Sequence, residues 1–418
     1  MITLRFKTSL LKIISSKSAK IMPKYFLFNP YCELAIVKNA KFYTPNKQFK
    51  ALVNDLSPLM IWLYDSKIKI LSDIQVSEEW KKDIKKLHEF KVDFADFDTL
   101  KGKSIKIEDL EVWGKSLDYL TILSKPTFKV KGLETWSDND KNVYDRFTGY
   151  KVLKSLVNST NTNYISKDLL GTFCKTKEEV ILKFQQLFAG ENRGVVFKLP
   201  FSSSGRGLML LRKEHINPAI ESWIESGLSE HGRILVEPWL DKVTDFSVLF
   251  NFESEEVKFL GISVFESLDS GQYGGSLLGN YEDLLPNTIS VQIPKLIEDL
   301  KGAFRNTNEF KGFKGRLGVD AMIVRDVMDN LILHPCVEIN PRTTMGHISL
   351  GLKKAVLNPN RAKWVITTKH QIANFKTFEI EMRKKYPYQI ENKKLVSGFF
   401  PLVDVNLTKQ YYAYVLAE

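Results

Sequence analysis

Two carboxylates and an amide, Asp320, Glu338 and Asn340, lie in a stretch that reads as a hairpin, 317–324 and 331–340 around a turn at 326–330. Side chains two apart share a strand face. One face therefore carries Leu331, Leu333, Pro335, Val337 and Ile339, and the other Ile332, His334, Cys336, Glu338 and Asn340. Folding about Met328 sets Asp320 opposite Cys336 and diagonal to Glu338, within the roughly 7–8 Å reach of diagonal antiparallel neighbours. Three oxygen donors converging there suit Mg²⁺ that also takes phosphate oxygens. Arg342 follows at once, with a planar fork that grips the same anions. A chance cluster on a solvated face is the plain alternative. His334 and Cys336 have no second pair and read as packing beside the site, not as zinc ligands.

A second group precedes this one. Residues 195–200 and 208–211 read as strands joined by Phe201, Ser202, Ser203, Ser204, Gly205, Arg206 and Gly207. Backbone N–H groups and hydroxyls in such a loop form a concave set of donors for phosphate oxygens. Lys198, just before the loop, adds a point charge. The loop joins strand to strand, unlike a GxxxxGK[ST] loop that opens a helix. An ordinary hairpin tip stays open as the other reading.

The elements that must position these groups follow from the rest of the 418 residues, long enough for two or three subdomains. Residues 1–23 are basic and acid-free and are expected to be a dispensable tail, with a targeting segment as the alternative. From Tyr25 to about residue 135, short apolar runs (59–63, 68–71, 119–123) alternate with Lys/Glu-rich helical windows such as 77–91, an α/β pattern. A polar link at 137–142 leads to helices at 146–158 and 176–189, the second opening on a Thr176-x-x-Glu179 capping box. Strand-rich blocks follow at 193–265 and 315–340, and a closing hairpin at 395–405 and 411–416.

Charge narrows the function. Six of the net eleven positive charges fall in residues 1–32, and of 60 basic residues only 12 are Arg, eight of them between 193 and 342. Dispersed Lys is solvation, so nucleic-acid binding ranks last. No apolar run approaches the ~18 residues of a membrane span. Three scattered cysteines exclude a disulfide scaffold and a zinc ribbon and fit a reducing cytoplasm.

A strand Lys with a Ser/Gly hairpin, then Glu237-Pro-Trp239-Leu240, then Asp320…Glu338-x-Asn340, in that order, resembles the ATP-grasp family, most closely its D-alanine–D-alanine ligase and glutathione synthetase-like carboxylate–amine ligases. The resemblance covers roughly 145–350. It implies two α+β subdomains sandwiching ATP (141–235 as a lid, 236–418 with the metal site) after an α/β domain at 24–140. It also implies roles: Glu237 for the adenine amino group, Trp239 and Leu240 for the base pocket, and Asp245 for the ribose hydroxyls. Lys198, Arg146 and the 202–207 loop take the phosphates. Asp320, Glu338 and Asn340 hold Mg²⁺, with Mn²⁺ as a substitute. Three departures stand out. Asp245 replaces the usual Glu one residue further on, Arg146 replaces a Lys, and Gly318 stands where an Arg often sits. Arg342 or Arg316 must then supply that last charge.

The implied activity is ATP-dependent joining of a carboxylate to an amine through an acylphosphate, with Lys198 and Arg342 as catalytic cations. A small-molecule kinase and a non-catalytic nucleotide-binding module are the rivals. The expected partners are small-molecule or peptide acids and amines, with neither nucleic acid nor membrane. The Gly-rich 268–279 stretch reads either as a substrate-side loop or as an ordinary surface loop. Substrate identity and oligomeric state are not legible.

Overall fold

The computed structural model describes residues 24–88, 92–158, 163–189, 194–201, 207–253, 256–267 and 273–418. Its first unit is a four-stranded parallel sheet in the order Asp93–Ala95, Lys69–Leu71, Tyr25–Leu27, Leu110–Val112. The chain leaves the first strand at Asn29, whose side-chain amide donates to the Gly114 carbonyl (2.9 Å) and accepts from the Gly114 amide (3.1 Å). That clamp ties the carboxyl ends of two neighbouring strands and launches the helix Cys32–Val37 beside them. A crevice between such strand ends is where open α/β sheets bind ligands.

The second unit is a small antiparallel sheet in the order Thr172–Cys174, Ile234–Pro238, Val195–Lys198, Leu208–Leu211. Helices Lys177–Phe188 and Pro218–His231 cover one face, where Val195, Phe197, Ile234 and Val236 join their core. The two-residue period turns Lys198 and Glu237 to the opposite face. The strand Ile234–Pro238 runs across the 235/236 boundary drawn from the sequence.

The third unit is a nine-stranded sheet. Its first three strands in space are Leu331–Asn340, Gly315–Arg325 and Asp241–Phe252, antiparallel throughout. Helices Arg146–Val157 and Ile293–Arg305 pack on the face carrying Phe246, Val248, Val319 and Ile323. The opposite face faces the site. The sheet continues to the closing pair Lys394–Pro401 and Tyr411–Ala417, which forms the expected hairpin. Phe26, Trp62 and Trp80 share one buried cluster with Trp364, Phe399 and Tyr412, so the first and last segments of the chain pack as one core.

An α/β unit followed by two facing sheet-and-helix units is the architecture the ATP-grasp resemblance implies. Local differences have physical causes. The 137–142 link is a helix, Asp138–Val143, nucleated by a capping box between Ser137 and Asp140. Thr176 caps its helix by accepting from the Glu179 amide (3.2 Å), but the Glu179 carboxylate takes the Lys175 amide (2.7 Å), so that box is not reciprocal. Residues 59–63 lie in a buried 3₁₀ helix, Ser57–Leu63, and 119–123 in the α-helix Leu117–Leu123. No helix among the described residues is long and apolar enough to cross a membrane.

Candidate functional site

The hairpin turn lies where the alternation sets it, with Arg325 facing Leu331 and Met322 facing His334. The register then slips, and Asp320 stands directly opposite Glu338, not opposite Cys336. Ala321 alone spans Pro335, Cys336 and Val337. Pro335 is the physical reason: lacking an N–H, it cannot join the ladder and is accommodated at a bulge on an edge strand. The same slip takes Cys336 off the polar row. Its thiol is buried in the core, donates to the Gly149 carbonyl (3.6 Å), and is pushed up in pKa by burial.

Asp320 is the hub of the cluster. Ser247 donates its hydroxyl to one carboxylate oxygen, and the Asn340 side-chain amide donates to the other at 2.9 Å. Burial, and then the neighbouring Glu338 carboxylate, push Asp320 up to about 7. Glu338 accepts from Arg146 at 2.9 Å. Arg146 also donates from its backbone to the Pro200 carbonyl (2.8 Å) and from Nε to Leu199 (3.1 Å), which fastens the end of the small-sheet strand to the carboxylate pair. Asp145 caps this helix through the Phe147 amide and forms an ion pair with Arg233.

Arg342 donates to the Asn340 side-chain oxygen (3.0 Å), the Thr343 carbonyl (3.3 Å) and, through Nε, Glu33 (3.0 Å). Burial opposes its charge, but Glu33 and its neighbours hold its pKa above the ordinary value. Arg316, the other candidate for this charge, lies elsewhere: it pairs with Glu111 (3.1 Å) and stacks on Tyr64.

A second cluster sits on the small sheet. Lys198 and Glu237 are diagonal neighbours, Lys198 opposing Leu235 and Glu237 opposing Val196, and they form a buried ion pair. His334 faces this pair from the large sheet. It is fully buried, its pKa is lowered to about 4 chiefly by burial, and its Nδ1 has no hydrogen-bond partner. Sequence reasoning assigned His334 to packing; its alternation with Glu338 and Asn340 was the available signal. Trp239 donates its amide to Gly194 (2.9 Å), and Leu240 packs on the core of the large sheet. Asp245 shares the polar face with Ser247, accepting from Lys242 (2.5 Å) and Ser267 (2.8 Å). Gly207 is buried, and its carbonyl takes the Leu199 amide (2.9 Å). Ser202, Ser203, Ser204, Gly205 and Arg206 lie outside the described residues, as do 268–272 of the Gly-rich stretch.

Thus Arg342, Asn340, Asp320 and Ser247 form one hydrogen-bonded chain and Arg146 with Glu338 a pair beside it, brought together by the Asp320–Glu338 register, with Lys198, Glu237 and His334 as a further group. Two opposed acids with hard oxygen atoms, one pushed up in pKa by burial and then by its neighbour, are a donor set that a divalent cation would relieve. The Asn340 oxygen already accepts from Arg342 and retains its second lone pair. Among the described residues no group of three or more His, Cys, Asp or Glu is placed to hold a metal.

No protein-family model and no curated protein matches the chain. It is similar to a solved N5-carboxyaminoimidazole synthetase from Staphylococcus aureus complexed with ADP, at 12% identity over 96% of this chain and 94% of that one, with a TM-score of 0.48. It is also similar to a carboxyaminoimidazole ribonucleotide synthase from Aspergillus clavatus complexed with ATP (11% identity, 95% and 94% covered, TM-score 0.46). A third is biotin carboxylase from Campylobacter jejuni in an ATP complex (12% identity, 94% and 87% covered, TM-score 0.45).

Proposed function

We propose that this chain is an ATP-dependent ligase of ATP-grasp type that joins a carboxylate to an amine and releases ADP and phosphate. The observation that carries the reading is the in-register Asp320–Glu338 pair, with Arg146 hydrogen-bonded to Glu338 and Arg342 joined through Asn340 to Asp320. Phosphoryl transfer needs positioning and charge neutralisation more than covalent help from the protein. Asp320, Glu338 and Asn340 would hold Mg²⁺, which when bound supplies positive charge to phosphate oxygens.

The substrate carboxylate attacks the γ-phosphorus and ADP leaves. The amine then attacks the acyl carbon, phosphate leaves, and the nitrogen gives up a proton. Arg342, hydrogen-bonded to Asn340, would hold the acyl oxygen that gains charge. Arg146 and Lys198 would neutralise phosphate oxygens, with Arg146 exchanging part of its bond to Glu338 for the nucleotide. The unpartnered His334 Nδ1, beside Glu237 and Lys198, supports a polar ligand on the small-sheet side, where Glu237, Trp239 and Leu240 would line the base and Asp245 the sugar.

The test is ATP turnover by the full chain with MgCl₂ against a panel of acids and amines. ADP and phosphate that appear only when both an acid and an amine are present support the proposal. Amine-independent transfer to a stable phosphate ester would replace it with the kinase reading, and AMP with pyrophosphate would end it.

A further inference from the structure

Arg146 joins three parts of the molecule. Its backbone opens the helix Arg146–Val157, which sits so close on the large sheet that a Cβ on Gly149 would stand 3.6 Å from Ile339. Its Nε donates to the Leu199 carbonyl (3.1 Å), just past the small-sheet strand Val195–Lys198. Its Nη2 donates to Glu338 (2.9 Å), one acid of the opposed pair.

The same helix start carries the small sheet at further points. The Arg146 amide donates to Pro200 (2.8 Å), Asp145 pairs with Arg233, and the Tyr150 hydroxyl donates to the Gly171 carbonyl (3.0 Å). The Phe173 ring packs edge-on against Phe147 (5.2 Å) and Tyr150 (5.5 Å). Of these fastenings, Arg146 alone goes on to a carboxylate of the pair.

Nε and Nη2 belong to one rigid planar fork, so a fork that swings away from Glu338 also leaves Leu199. Arg146 is buried, where water and salt screen its charge little. A divalent cation held by Asp320 and Glu338 would carry the same sign beside it and draw on the same carboxylate. Cation and fork therefore compete for Glu338. Arg342 stands differently toward the cation. It donates to the Asn340 amide oxygen, which keeps a second lone pair, and Glu33 balances its charge from the other side.

We infer that Arg146 is a tether that a divalent cation at Asp320 and Glu338 displaces, and that its displacement loosens the small sheet's strand end at Leu199 and Pro200. Cation occupancy is thereby passed to the small sheet before a nucleotide arrives, and the released fork, still carried by its helix, is left to phosphate oxygens. Arg146 thus opposes the cation alone and favours the cation with a nucleotide. The inference rests on the metal reading of the carboxylate pair given above.

The experiment measures Mn²⁺ binding to the full chain by electron paramagnetic resonance, and amide hydrogen exchange in peptides covering 195–201 with and without MgCl₂, both free of nucleotide. Arg146→Met is expected to bind Mn²⁺ about tenfold or more tightly than the parent, and to lose that advantage when ADP is added. In the parent, MgCl₂ should speed exchange over 195–201; in Arg146→Met exchange should be fast already and unresponsive. Arg233→Met removes a neighbouring positive charge and another fastening of the same sheet but touches neither acid, so its Mn²⁺ affinity should stay within about twofold of the parent. The exchange measurement on the parent needs no variant and stands even where Arg146→Met fails to fold. Equal or weaker Mn²⁺ binding by Arg146→Met, an equal gain in Arg233→Met, or parent exchange unchanged or slowed by MgCl₂ overturns the inference. Mn²⁺ binding to none of the chains, with or without ADP, sinks the metal reading and the tether together; Mn²⁺ that binds the parent while those results fail sinks the tether alone.

Discussion

Glu33, on the first helix, accepts the Arg342 Nε at 3.0 Å across 309 residues of sequence, and with the Trp113 carbonyl, which takes the Thr343 amide at 2.9 Å, it ties the parallel-sheet unit to the carboxylate cluster. From there the bonds run through Asn340 to Asp320 and on to Ser247. A charge-assisted bond of this kind contributes about 1.5–3 kcal/mol. Glu33→Gln is therefore expected to lower kcat about tenfold or more with little change in the KM for ATP. A pure stability defect would instead lower active enzyme without this split, so steady-state kinetics at matched folded concentration decide it.

Removing either opposed acid should be more severe. Glu338→Gln and Asp320→Asn are expected to lower ATP turnover by about 10²–10³-fold, the scale of losing one preorganised electrostatic contact, and to shift the MgCl₂ titration to higher concentration. Turnover in Glu338→Gln within twofold of the parent would detach these residues from the chemistry.

Helix Met345–Lys354 presses against the 3₁₀ segment Ser57–Leu63 so closely that a Cβ at Gly351 would collide with the Trp62 backbone carbonyl oxygen. Backbone cannot step aside as a flexible side chain can. Gly351→Ala is expected to cost about 1–3 kcal/mol, the usual penalty of overpacking, read as a lower melting temperature. An unchanged melting curve would contradict the packing.

His334 sets a pH dependence with a definite sign. Burial lowers its pKa to about 4, whereas in the unfolded chain a histidine titrates near ~6.5. Below that value the unfolded state binds a proton the folded state does not, so its contribution is full above 6.5 and is lost as pH falls toward 4. His334→Asn should thus destabilise the protein more at pH 7.5 than at pH 4.5. Denaturant melts of parent and variant at both values test this, and a gap that widens in acid would be the wrong sign.

Much of the site was legible because strand periodicity is local. The shared face of Asp320, Glu338 and Asn340 follows from positions two apart and one tight turn, whereas the ion pair of Lys198 with Glu237 needs the pairing of two separate strands and was not read. What escaped was the consequence of a single missing N–H. Pro335 shifts the register by two residues, bringing Glu338 face to face with Asp320 and sending Cys336 into the core. Glu33 escaped for another reason: a lone acid in a helix carries no mark of a partner 309 positions away. Of the two arginines offered for the charge missing at Gly318, the fold sets Arg342, the one chosen as the catalytic cation, at Asn340 and Arg316 at Glu111.

The cluster joining Phe26, Trp62 and Trp80 to Trp364, Phe399 and Tyr412 has a consequence for the chain as it leaves the ribosome. The parallel sheet is made before the closing hairpin, and one side of its hydrophobic surface stays bare until that hairpin is translated. At about 5–20 residues per second, that surface waits tens of seconds for its cover. The amides of Lys409, Gln410 and Tyr411 that close on the Asp55 carboxylate at 2.7–3.1 Å arrive only with that hairpin. Shortening the chain by its final hairpin should therefore yield a first unit that aggregates, and no smaller enzyme.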